Sequence, residues 1–219
     1  MSYVRDVLTY RIPVDLDANQ RHPLDVLSQQ WSDSSRRAEL TRGFVELLSD
    51  PDPKLRAAAV QFFVAHMADD GGALRDAYER HLDRFEGVPR HWYPGEGDLR
   101  DLLVLALAKR ALPGSRDLEI LKEEALRPGH GAYATLGILA ADPAWLREHL
   151  VEIVAGSPGA LPGLLFNLGV LDVQPDALIA QLKGQVLDSV LLDAIGRAIP
   201  RDRERLAALV ERGRSDTHT

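Results

Sequence analysis

Hydrophobic residues recur along the chain at the spacing of amphipathic helices. One stripe follows the i, i+4, i+7, i+8 pattern and consists of Leu40, Phe44, Leu47 and Leu48. Helical spacing returns over residues 74–85, 146–154 and 187–198. Only residues 10–14 alternate like a strand, and they include a proline, which is unfavourable inside a sheet. The pattern therefore predicts an all-α fold of about eleven helices joined by short loops.

Two segments are apolar on every side of a helical projection. Residues 102–108 are seven consecutive apolar positions, and residues 161–171 contain no charged side chain. A helix without a polar face is normally covered by its neighbours, so both segments are predicted to lie at the centre of the fold. Prolines and glycines separate the helices. At positions 52–53 and 142–143 an aspartate precedes a proline, which suits the N-cap and first turn of a helix.

The chain repeats itself with a period of about 45 residues. Asp52, Asp98 and Asp142 lie 46 and 44 residues apart, and a Leu-Arg pair follows each of them. A period of this length holds two helices and their turns. A fourth unit is predicted near residues 174–175, although it lacks the Leu-Arg pair. We expect the helical pairs to stack, because one pair cannot bury its apolar stripe alone.

One turn carries a more specific motif. Residues 47–60 read LLSDPDPKLRAAAV. This segment resembles the turn of a HEAT repeat, in which a Leu pair ends the first helix, an Asp-Pro-Asp-Pro turn follows, and an Arg with an Ala-rich face opens the second helix. The resemblance is weaker over residues 142–154 and elsewhere rests on the period. An irregular helical bundle with Asp-Pro caps is the alternative explanation.

The resemblance implies an architecture. It implies an all-α, right-handed α-solenoid of about four HEAT-like helical pairs with N-terminal and C-terminal capping helices. The implied segments are an N-terminal cap over 1–37, a helical repeat domain over 38–212 and a disordered tail over 213–219. The resemblance also implies a structural ladder of polar side chains between repeats, which consists of Asp52, Arg56, Asp98, Arg100, Asp142 and Arg147.

Composition and charge narrow the classes of function. The 219 residues include no cysteine, which excludes disulfides, a catalytic thiolate and zinc–thiolate sites. The formal net charge of −7 argues against a protein that coats nucleic acid. The seven histidines form no zinc-binding motif, and no nucleophile elbow or phosphate-binding loop is present. We therefore expect no catalytic residue, no metal and no other cofactor.

The chain also lacks the patterns of membrane and secreted proteins. No apolar stretch approaches the length of about 20 residues that a membrane span needs. Residues 1–15 mix charged and apolar side chains, unlike a secretory signal. A cytoplasmic location is the expectation.

Two loops concentrate residue types that anchor protein interfaces. The loop over 85–97 reads FEGVPRHWYPGEG and is long for a connection between helices. A second loop over 127–133 follows about one repeat later. The residues predicted to bind a partner are Arg90, His91, Trp92, Tyr93, His130 and Tyr133. Alternatively, Trp92 and Tyr93 fill a gap between repeats.

These features favour a non-enzymatic protein–protein interaction module, such as a small adaptor or an immunity (inhibitor) protein. An acidic chain is expected to bind another protein with a basic surface. The resemblance leaves two enzyme hypotheses, a HEAT-like DNA glycosylase that excises alkylated purines and a HEAT-like lyase that attaches bilin pigments. Trp31, Trp92 and Trp145 would supply aromatic groups to the glycosylase, but the negative charge opposes binding of a DNA duplex.

Overall fold

The computed structural model describes residues 2–13, 22–66, 70, 72–81 and 99–211. This part of the chain folds into 15 α-helices and no β-strand, with one isolated bridge between Lys183 and Val186. The predicted all-α fold is confirmed. The chain divides into two compact units, Met1–Lys109 (unit 1) and Arg110–Thr219 (unit 2). The division falls inside the predicted repeat domain over 38–212.

Unit 1 holds the first six described helices. They are α1 (Tyr3–Leu8), α2 (Pro23–Gln30), α3 (Arg37–Leu47), α4 (Pro53–His66), α5 (Ala73–His81) and α6 (Leu99–Ala108). Helix α4 packs against α2, α3 and α6, while α1 packs against α2 and α3. Helix α4 is therefore the centre of unit 1.

Small and aromatic side chains let the helices of unit 1 approach one another. The alanines at 57–59 on α4 are buried, and such small side chains permit close helix packing. Phe62 of α4 stacks on Phe44 of α3, with ring centroids 3.9 Å apart. Five of the seven apolar residues over 102–108 in α6 are buried, as predicted for a helix that its neighbours cover; its position at the centre of a stack stays a prediction.

Helix α1 is held in unit 1 by close packing and by an ion pair. A Cβ at Gly43 on α3 would lie 2.5 Å from Cγ2 of Val4, so a larger residue at this position would push α1 away. Arg5 of α1 forms an ion pair with Asp50, a buried carboxylate in the turn before α4. The first helix thus supports the turn that carries the HEAT-like motif.

Unit 2 contains the remaining described helices. They are α7 (Arg116–Ala125), α8 (Gly131–Ala141), α9 (Pro143–Glu148), α10 (Leu150–Gly156), α11 (Leu161–Phe166), α12 (Leu168–Leu171), α13 (Pro175–Leu182), α14 (Asp188–Ala198) and α15 (Arg203–Glu211). Helix α8 contacts α7, α9, α10 and α11, and α10 packs against α13. Helix α14 packs against α11 and α15.

Two segments expected to be single helices are each divided. The stripe over 146–154 breaks at His149, and the segment over 161–171 breaks at Asn167. At both breaks the side chain bonds the carbonyl four residues earlier. The Nδ2 group of Asn167 donates to the Gly163 carbonyl at 2.7 Å, and Nδ1 of His149 lies 2.9 Å from the Trp145 carbonyl. Such bonds compete with regular helix hydrogen bonding and help to explain why the helices outnumber the prediction.

The predicted burial of residues 161–171 is only partly right. The five leucines of this segment are buried. Phe166 and Val170, however, are 77% and 63% exposed. The expectation that neighbours cover every side of the segment is wrong at these two positions, because no described part of the chain packs over them.

No described helix has both the length and the apolar composition that crossing a bilayer requires. The tail over 213–219, predicted to be disordered, lies outside the described residues.

Candidate functional site

The residues predicted to bind a partner fall into two groups. Arg90, His91, Trp92 and Tyr93 lie outside the described residues. His130 and Tyr133 lie together at the start of α8, where both are half-buried. His130 occupies the N-cap position, but its side chain makes no capping hydrogen bond.

Helix α8 is apolar around its whole circumference. No Asp, Glu, Lys or Arg occurs over residues 128–141. Ala134 and Ile138 are completely buried, whereas Leu136 is 47% exposed. The outer side of the helix, which we call the α8 stripe, consists of Ala132, Tyr133, Leu136 and Ala140. An all-apolar helix is usually covered, yet Ala132, Leu136 and Ala140 of this stripe are exposed.

The beginning of α8 is held by a buried serine. The hydroxyl of Ser157 donates to the Arg127 carbonyl at 3.1 Å and accepts from the Gly131 N–H at the same distance. Ser157 is 3% exposed; its bond with the Gly131 N–H is buried and its bond with the Arg127 carbonyl is partly buried. A Cβ at Gly131 would lie 3.1 Å from both the Ala125 carbonyl oxygen and Cβ of Ser157. The turn between α7 and α8 is therefore tightly packed, and the α8 stripe starts from a fixed position.

Helix α7, which packs against α8, carries several charged side chains. Its exposed residues include Arg116, Glu119 and Glu123. Arg116 forms an ion pair with Glu123 at 3.3 Å. Residues 116–141, which span α7 and α8, contain four carboxylates and three Lys or Arg side chains. The α7–α8 pair thus combines an uncharged stripe with a net negative charge.

Lys122 links α7 to the start of α9. Its Nζ lies 3.0 Å from Asp142 and 3.2 Å from Glu119, and 5.6 Å from the centre of the Trp145 ring. Burial opposes the charge on Lys122, but hydrogen bonds to Asp142 and Glu119 raise its pKa above the ordinary value. The hydrogen bond from Lys122, aided by the Trp145 N–H, lowers the pKa of Asp142. Both groups are therefore charged at neutral pH.

The ladder residues have mainly local partners. Arg56 donates to the carbonyls of Asp50 and Pro51, at 2.7 and 3.1 Å, within its own turn. Asp52 accepts from the Lys54 N–H at 2.9 Å. Asp98 lies outside the described residues, and Arg100 is half-exposed.

Of the third pair of predicted ladder residues, Asp142 forms an ion pair with Lys122, and Arg147 is exposed. The ladder between repeats stays a prediction. Sequence reasoning missed the Lys122 contact because it depends on how α7 packs near α9.

A second uncharged surface lies on α11 and α12. Phe166 and Val170 are four residues apart, and both are exposed. Gly163 and Gly169 are exposed as well. We call these four residues the α11–α12 face. The signal that locates both surfaces in the sequence is a long interval without charge, over 128–141 and over 153–171.

A histidine beside a recess of unit 1 has a structural role. A recess of about 340 Å³ in unit 1 is lined in part by Tyr10, His22 and Lys54. Nδ1 of His22 accepts from the Leu24 N–H at 3.1 Å and so caps α2. Burial lowers the pKa of His22, against the charge of Asp25. Across the described residues, no three His, Cys, Asp or Glu side chains are grouped so as to hold a metal ion.

The tryptophans of the glycosylase hypothesis that the structure describes contact their own chain. The Trp31 ring meets Phe62 edge-on at 5.2 Å between centroids. Trp145 stacks on His149 at 4.1 Å. Both indoles are half-buried.

Comparison with models of known protein families, with curated proteins and with solved structures finds no match for this chain. Geometry and chemistry are therefore the basis for assigning its function.

Proposed function

We propose that this protein is a non-enzymatic protein-interaction module and that the α8 stripe is its contact surface. The observation that supports this proposal is an entirely uncharged helix whose outer side, centred on Leu136 at 47% exposure, remains open. Exposed apolar surface of this kind is typical of sites where another protein docks.

The favoured occupant is an amphipathic helix with Lys or Arg on its polar side. Its apolar side would lie on the α8 stripe, as helices dock into apolar grooves in other complexes. Its cations would lie near the exposed carboxylates of α7, including Glu119 and Glu123. The net charge of −7 would accelerate the approach of a basic partner.

We also propose that the helices of unit 2 stack in the manner of a HEAT-like solenoid. Contacts between helices three elements apart support this arrangement, since α8 contacts α11, α10 contacts α13, and α11 contacts α14. In a stacked array each layer contacts the next, and the array presents an extended surface to a ligand.

Fluorescence anisotropy with a labelled peptide tests the binding proposal. The probe is an amphipathic peptide of about 18 residues built from Leu and Lys, and the comparison peptide replaces each Lys by Glu. We expect the Leu–Lys peptide to bind and the Leu–Glu peptide to bind at least about tenfold more weakly, because α7 is acidic.

The variant Leu136→Asp should weaken binding of the Leu–Lys peptide about tenfold or more, because it places a charge in the apolar contact. The matched control is Leu112→Asp, since Leu112 is also exposed, at 67%, but lies in the turn before α7. Equal binding of both peptides, or equal losses in the two variants, would contradict the assigned surface.

A further inference from the structure

We draw no further inference here: the strongest candidate, the exposed apolar α11–α12 face around Phe166 and Val170, carries nothing because nothing in the structure shows what covers it.

Discussion

Two polar side chains in the described cores, Ser157 and His66, differ in whether their hydrogen-bonding groups have partners. Ser157 uses its hydroxyl both as a donor and as an acceptor. His66 is different, because its buried Nε2 has no hydrogen-bond partner among the described residues. Its ring centroid lies 4.8 Å from that of Phe62 and 5.5 Å from that of Trp31. Burial lowers the pKa of His66 below 6.5, so the ring is neutral at neutral pH.

Acidification below pH 6.5 should therefore destabilise the protein through His66. The unfolded chain binds the proton first, so the free energy of unfolding falls as the pH drops from 6.5 towards the lower pKa of the folded state. His66→Phe keeps an aromatic ring and removes the titrating group. We expect this variant to be about 1 kcal/mol more stable than the wild type at acidic pH, because it also removes an unpaired buried nitrogen.

Urea unfolding at about pH 5.5 and about pH 7.5 measures this effect. The difference between the two pH values should be smaller in His66→Phe than in the wild type. Equal pH dependence in the two proteins would show that His66 is not the group responsible.

At the scale of the helices, α8 and α11–α12 differ from the rest of unit 2 in carrying no charge. Helices α8 and α11–α12 carry no charged residue, yet each leaves one side exposed. Amphipathic helices of the described residues, such as α7, place charged side chains on their exposed side. An uncharged helix with an open side gains free energy when another apolar surface covers it. This is the physical reason for assigning protein contact to the α8 stripe.

The predictable part of the fold is the part that depends on local pattern. Helical spacing over segments such as 40–48 repeats often enough to predict an all-α chain. The exposure of Phe166 could not be predicted, because an apolar sequence does not show whether another helix of the chain packs over it. Nor could the break at Asn167, which depends on a side chain competing for one carbonyl. Residue type alone points to His130 and Tyr133, whereas Leu136 is found only from the side of α8 that is exposed in the structure.

Ser157→Ala should destabilise the junction on which α8 depends. The substitution leaves the Gly131 N–H and the Arg127 carbonyl without the hydroxyl that joins them in a buried site. We expect the free energy of unfolding to fall by about 1–3 kcal/mol. Chemical denaturation followed by circular dichroism measures the change.

The control is Ser189→Ala, which removes the same hydroxyl from an exposed position in α14. Exposed substitutions of this kind usually change stability by less than about 0.5 kcal/mol. Similar stability of the two variants would mean that the Ser157 hydroxyl does not hold the start of α8.

At the scale of the whole molecule, net charge and apolar surface act over different distances. The net charge of −7 acts at long range, where it would repel other copies and attract the basic partner that we propose. The α8 stripe itself carries no charge, so the proposed contact would be made at close range by apolar side chains.

Hydrogen–deuterium exchange with and without saturating Leu–Lys peptide tests the central claim, that the open side of α8 is the binding surface. We predict slower exchange over residues 130–141, and no change at α3 and α4 in unit 1. Protection confined to other helices, or unchanged exchange in α8 while the peptide is bound, would contradict it.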